Sequence, residues 1–248
     1  MGILSGHALT FSIILYDLSR QRGDQREMMS ASGFSNWRAL FVTGTPLFLA
    51  ALELRHPTGD GKTTPFEGIL PQVDWWLLLH LLQVPLFGLM GLAVMLLVSK
   101  LKGLAVSVSR VGIGFFLVFY TALDAITGIA SGMLIRGARS QPPALQEYVS
   151  SQVNQLFFDP LVGGTTLSLF AVLGAGGWLI GVMAAAVALD RAGVDRFTTV
   201  LLGISGVLFA MSHTPPTGPL GLFLFFLAAV RIPRSVFIED TGLSLPSE

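Results

Sequence analysis

The chain has 248 residues, of which 52% are hydrophobic and only 12% are charged. Soluble domains carry about 25% charged residues, so this composition excludes an ordinary globular enzyme and predicts a polytopic membrane protein. The 15 basic residues balance the 15 acidic ones without forming a basic stripe, which excludes a nucleic-acid-binding protein. The absence of cysteine excludes disulfides, thiolate metal sites and cysteine nucleophiles.

The N-terminal stretch is a short apolar run followed by charged residues from Asp17 to Glu27. A signal peptide carries its positive charge before the apolar run, so this order argues against cleavage. We therefore predict an N-terminal cytoplasmic extension over residues 1–33, a six-span transmembrane domain over residues 34–238 and a C-terminal cytoplasmic tail over residues 239–248.

Six segments reach or approach the roughly 20 apolar residues that a spanning helix needs. They are Trp37–Leu54, Trp75–Val98, Val111–Ile135, Thr165–Leu189, Phe197–Met211 and Pro215–Ile232. The last two are short, and the sequence from His213 to Gly218 between them predicts a tight turn. We expect an all-α membrane bundle of six transmembrane helices, and five spans with a re-entrant final pair is the alternative.

The distribution of Lys and Arg predicts the orientation of these spans. With an internal N-terminus, eleven of the 15 basic residues lie on the cytoplasmic side, as the positive-inside rule requires. The loop Lys100–Arg110 contributes most, because it has three basic residues and no acidic one. We expect a multi-pass protein of the cell membrane with both termini cytoplasmic, and Trp75 and Trp76 as anchors at the outer interface.

The long outer loop between spans three and four has a helical pattern of its own. After Pro142 and Pro143, apolar residues recur at helical spacing from Leu145 to Phe157, with polar residues opposite. This predicts an outer amphipathic helix that lies in the headgroup region. A lid over an outer binding site is the alternative.

Small residues at a spacing of four occur in two of the spans. Gly128 and Gly132 form one such pair, and Gly177 and Gly181 form the other. Such pairs allow close approach of helices in lipid, and we interpret them as internal packing of the bundle.

Polar residues concentrate in or beside the outer halves of the spans, where ionisable groups mark functional sites. They are Glu53, His56, His80, Gln83, Asp124 and His213. At about 1.5 Å of rise per residue, Glu53, His56 and His213 reach the outer surface. His80 and Gln83 then lie roughly 7 and 12 Å below it, and Asp124 about 16 Å below, near the midplane. The sequence therefore predicts a gradient of polar residues at increasing depth, from the outer surface to the midplane.

The leading interpretation is an outward-facing polar pocket that binds or processes a small or lipid-like molecule. Asp124, His80, Gln83 and Thr121 are its candidate ligand-binding residues, since Thr121 shares a helical face with Asp124. The expected partners are then the lipid bilayer and this ligand, and no nucleic acid is expected. The sequence predicts no oligomeric state.

The main alternative is a metal-dependent intramembrane hydrolase. His56, His80 and His213, with Glu53 or Asp124, could hold a divalent metal such as zinc that activates water. A proton- or cation-coupled transporter is also open, because a midplane carboxylate can take up a cation. A structural membrane protein and, at a lower rank, a haem-binding cytochrome complete the alternatives.

Overall fold

The computed structural model describes residues 36–59, 61–165 and 167–233, and the regular secondary structure of these residues is entirely helical. The predicted all-α class is thus confirmed for the described part, while residues 1–33 and 239–248 lie outside it. The helices are α1 (36–53), α2 (Pro65–Ile69), α3 (Val73–Leu97), α4 (Leu104–Ala138), α5 (Pro143–Phe157), α6 (Leu169–Arg191), α7 (Arg196–Met211) and α8 (Thr217–Arg231).

Three helical segments of the described residues are long and apolar enough to cross a membrane, fewer than the six predicted. They are Pro65–Leu97, Leu104–Ala138 and Leu169–Arg191. Helices α7 and α8 are apolar but have only 16 and 15 residues. At about 1.5 Å per residue they extend roughly 24 and 22 Å, less than the roughly 30 Å hydrocarbon core.

The first long segment starts well before the predicted Trp75. Thr64 and Glu67 form a capping box that begins α2, and the 3₁₀ turn Leu70–Gln72 continues it into α3. Each partner of such a box satisfies an N–H group that the helix leaves open. The helical segment therefore begins at Pro65, ten residues before the predicted start at Trp75.

Helix α4 contains two π-helical segments, Phe116–Tyr120 and Asp124–Ala130. A π turn inserts an extra residue relative to α-helical spacing, so side chains beyond it rotate around the helix axis. Such insertions are frequent at functional sites. The second segment begins at Asp124, the deepest ionisable residue of the predicted gradient.

Close packing of α4 on α6 depends on glycines. A Cβ atom added to Gly112 would lie 2.7 Å from both the Gly177 carbonyl oxygen and the Gly181 nitrogen, so the two backbones are in contact. The glycine pair in α6 therefore serves packing within the bundle, as the sequence predicted. Gly128 and Gly132 likewise pack α4 against α3, because an added Cβ would overlap the His80 ring at Gly128 and lie 2.8 Å from Trp76 at Gly132.

Several helix ends meet at one end of the molecule, which we call the site end. The Trp75 indole donates to the Arg55 carbonyl at 2.8 Å, and Arg139 forms an ion pair with Asp74 at 2.8 Å. Helix α5 lies at this end with Val153 fully buried, and its Asn154 accepts from the backbone of Phe66 at 3.2 Å. One face of this amphipathic helix therefore contacts protein.

Large apolar side chains cover the outside of the bundle. On α3, Leu78, Leu81, Leu89 and Leu92 are 38–55% exposed, while the opposite face is buried. A water-soluble protein rarely exposes contiguous apolar surface on this scale. The surface of the long helices therefore suits a membrane location.

Candidate metal centre

Three histidines from distant parts of the chain converge at the site end. The His56 ring centroid lies 5.3 Å from that of His80 and 5.0 Å from that of His213. His56 follows the end of α1, where the backbone folds back through hydrogen bonds from Arg55 to Leu52 and from His56 to Glu53. This tight turn returns the imidazole to the interior, where it is 8% exposed.

All three rings use Nδ1 for a hydrogen bond with the protein. His56 Nδ1 lies 2.9 Å from the Pro57 carbonyl oxygen, and His80 Nδ1 lies 2.7 Å from that of Trp76. A carbonyl only accepts, so Nδ1 carries the proton in both rings and Nε2 keeps its lone pair. His213 Nδ1 lies 2.8 Å from the Tyr120 hydroxyl.

The carboxylates belong to the same cluster. Glu53 Oε1 accepts a hydrogen bond from Gln83 Nε2 at 2.5 Å. Asp124 Oδ1 lies 3.8 Å from His80 Nε2, beyond hydrogen-bond distance. We use the name polar cluster for Glu53, His56, His80, Gln83, Asp124 and His213.

Five side-chain atoms of the polar cluster are buried without a hydrogen-bond partner. They are Glu53 Oε2, His56 Nε2, Gln83 Oε1, Asp124 Oδ2 and His213 Nε2. Leaving one such atom unsatisfied costs about 1–3 kcal/mol, so five within one cluster is a large unfavourable term. A bound ligand that contacts several of them would remove it.

Glu53, His56 and His213 can present one ligand atom each within 4.8 Å of one another. Two imidazoles and one carboxylate form a ligand set found in catalytic zinc sites, which keep a further position open. Each side chain also has a hydrogen-bond partner in the protein. Glu53 Oε1 accepts from Gln83, His56 Nδ1 contacts the Pro57 carbonyl, and His213 Nδ1 contacts the Tyr120 hydroxyl. Such outer contacts orient the ligands of metal sites.

Burial keeps the two loop histidines neutral. It lowers the pKa of His56 to about 4, although the hydrogen bond to the Pro57 carbonyl opposes this shift. Burial also lowers the pKa of His213 well below its ordinary value, and the charges of His56 and His80 act in the same direction. Metal binding requires neutral imidazole, so these rings are in the protonation state of a ligand.

A cavity of about 130 Å³ lies beside the candidate ligands. Its wall includes His56 and His213 together with His80, Asp124 and Thr127. Its volume resembles that of an engineered cavity of roughly 150 Å³ that accepts benzene. It therefore holds a small chemical group, and it is too small for the porphyrin of a haem.

Aromatic side chains close the interior side of the polar cluster. Phe87, Phe116, Trp178 and Phe209 are at most 2% exposed, and we call them the aromatic layer. The Trp178 ring centroid lies 4.9 Å from that of Phe116 and 5.1 Å from that of Phe209. The Phe87 ring contacts Tyr120 and His213, which joins the two regions directly.

The predicted polar residues thus form a cluster instead of the expected gradient. The gradient was predicted on the assumption that α1 and α7 are straight helices with His56 and His213 at their outer ends. The chain instead turns inward after each helix, and the Glu53 carboxylate reaches Gln83 on α3. His80 lies beside the set of three candidate ligands, with Nε2 facing Asp124.

Thr121 occupies a different position from the one its spacing predicted. Its hydroxyl donates to the Leu117 carbonyl of its own helix, and Thr127 lines the cavity instead. Thr127 lies three residues after Asp124, just as Thr121 lies three residues before it, so helical spacing alone offers both as neighbours of Asp124.

Sequence reasoning missed seven residues of the cavity wall, among them three with aromatic side chains. Trp76 was expected at the interface, yet it is 7% exposed, packs on His80 at 4.1 Å and donates to the Gly128 carbonyl at 2.7 Å. Tyr120, Thr127 and Phe157 also line the cavity. Trp76 precedes His80 by four positions, so the two lie on the same helix face, and this spacing could have predicted Trp76 as a neighbour of His80.

Comparison of the chain with protein-family models, with curated proteins and with solved structures found no match in any of the three. Function is therefore inferred from the geometry of the polar cluster.

Proposed function

We propose that this chain is a six-span membrane protein whose outer half binds a divalent metal ion through Glu53, His56 and His213. The observation that carries the proposal is the convergence of five unpartnered buried polar atoms on one small region. A divalent ion held by three protein ligands supplies Lewis acidity and an activated water, which favours a hydrolase.

Asp124 and His80 hold the reacting group against the metal in this proposal. Both line the same cavity as His56 and His213, and Asp124 has a buried oxygen without a partner. A carboxyl group in that position can accept or donate a proton at a bound molecule. Gln83 acts indirectly, by orienting the Glu53 carboxylate.

The six-span topology receives support from the hairpin of α7 and α8. Val200, Ile204 and Val207 on α7, with Phe223 and Val230 on α8, expose apolar surface as lipid-facing residues do. Helix α1 is helical from the first described residue to residue 53. The positive-inside rule then directs the site end outward, with both termini in the cytoplasm of a cell-membrane protein.

Transport is the less favoured function, because the aromatic layer closes the interior side of the cavity. Substrate-dependent flux in proteoliposomes would reverse this preference. A tag accessible from outside the cell at either terminus would contradict the proposed topology.

The metal centre is tested by elemental analysis of protein purified without chelator. We expect about one equivalent of a divalent transition metal in the wild type, and less than about a tenth in Glu53→Gln and His213→Ala. Glu147→Gln is the matched control, because it removes an exposed carboxylate from α5. Metal-free wild type that also fails to take up Zn²⁺ or Co²⁺ would refute the proposal.

A further inference from the structure

A second, larger cavity of about 720 Å³ lies next to the small one at the site end. Its wall comes from the segment that joins α1 to α3, including Thr58, Thr64, Gly68 and Gln72. Sites for drug-sized ligands have volumes of about 300–1,000 Å³. The larger cavity therefore has the size of a site for an organic molecule.

Trp76 and Phe157 belong to the walls of both cavities. Their ring centroids are 6.2 Å apart, and Phe157 is the last residue of α5. The two rings thus form the boundary between the cavities. Helix α5, which contacts α2 through Asn154, holds the Phe157 ring in this position.

The difference in volume assigns different parts of one molecule to the two cavities. The small cavity accommodates a group no larger than a benzene ring. A body of several times that volume fits only the larger one. We infer that the larger cavity binds the body of the substrate, whose reactive end extends past the Trp76 and Phe157 rings to the metal; this inference rests on the metal centre proposed above.

The wall of the larger cavity indicates the chemical class of this body. Ile69, Trp76, Phe157 and Phe158 supply apolar surface, while threonine hydroxyls and the Gln72 amide supply hydrogen-bonding groups. Among the described wall residues, Glu67 carries the one formal charge. Its carboxylate already accepts from the Thr64 nitrogen and hydroxyl, each at 2.9 Å.

An uncharged amphiphile suits this lining. The described wall residues offer no cation to an anionic body, and the Glu67 carboxylate that could meet a cationic body is already hydrogen-bonded to Thr64. Apolar parts of the amphiphile would contact the aromatic rings, and its polar groups would face the hydroxyls. Its reactive end is a group that can ligate a metal ion, such as a carbonyl.

The test uses Co²⁺-loaded protein and hydroxamates, which bind metal ions through a small head. Acetohydroxamate measures access to the metal, and homologues with longer alkyl chains probe the larger cavity through the visible spectrum of Co²⁺. We expect affinity to rise by roughly fourfold at most for each methylene buried, until the cavity is full.

Gly68→Phe should abolish this gain with chain length while leaving acetohydroxamate binding intact. An added Cβ at Gly68 meets only Thr63 Oγ1, at 3.5 Å, so the backbone tolerates a side chain there. Gly137→Phe is the matched control, because Gly137 is exposed on α4 with nothing within 4 Å of its added Cβ. Gly68→Leu repeats the test with a smaller side chain should the Phe variant fold poorly.

The outcomes separate the two proposals. Protein that binds neither Co²⁺ nor Zn²⁺ contradicts the metal centre itself. Protein that binds Co²⁺ and acetohydroxamate, but shows equal affinity for long and short chains, overturns the inference about the larger cavity alone. Equal chain-length dependence in Gly68→Phe and Gly137→Phe also overturns it, because the chains would then lie elsewhere.

Discussion

The polar cluster and the aromatic layer are neighbours with opposite properties. In the aromatic layer, Phe87, Phe116 and Phe209 are at most 2% exposed, and the Trp178 indole nitrogen is the one buried polar atom without a hydrogen-bond partner. The polar cluster is also mostly buried, with His213 half-buried, but it contains five such atoms. Packing is therefore optimised for stability in one region, and the other retains unsatisfied groups that favour a ligand.

The largest expected effect belongs to the aromatic layer. Phe209→Ala should lower the free energy of unfolding by about 3–5 kcal/mol, because it removes a fully packed ring and leaves a cavity. Thermal unfolding in detergent measures this, with Phe223→Ala as the control because that ring is 44% exposed. Metal content should be retained in folded Phe209→Ala. A loss of metal at preserved stability would contradict the division between the two regions.

Metal addition should stabilise the protein through the polar cluster. Zn²⁺ at about 100 times its Kd should raise the free energy of unfolding by roughly 2.7 kcal/mol, because it binds only the folded state. Glu53→Gln should lose this increment, and Glu147→Gln should keep it. Thermal unfolding with and without chelator measures both. An equal response in the two variants would place the metal outside the cluster.

The Tyr120 hydroxyl should affect metal affinity without contacting the metal. It lies 2.8 Å from His213 Nδ1 and so orients the ring. Removal of such an outer contact lowers metal affinity by about 10–100-fold, which we expect for Tyr120→Phe in a competition titration. Tyr148→Phe, at a tyrosine that is 63% exposed, should leave the affinity unchanged. Equal affinities in both variants would show that His213 is held by other contacts.

The sequence predicted the components of the site better than their arrangement. Apolar runs predicted helices in the right places, and the cost of ionisable groups in a membrane singled out Asp124 and His80. The convergence of His56 and His213 depends on chain reversals after two helices, which hydropathy does not encode. Thr127 lines the cavity where Thr121 was predicted, and helical spacing could not choose between them because both lie three residues from Asp124.

The smallest expected effect is the sharpest test of the contrast between the two regions. Asp124→Asn keeps the shape of the side chain but removes a carboxyl group whose oxygens lack a protein hydrogen bond in the described structure. An unpartnered buried amide costs about as much as the unpartnered carboxyl group that it replaces, so metal-free Asp124→Asn should unfold near the wild-type temperature. Its metal content should also match the wild type, because Asp124 is outside the set of Glu53, His56 and His213. A marked loss of stability without metal would show that Asp124 already has a structural partner, and the polar cluster would then resemble the aromatic layer in being built for stability.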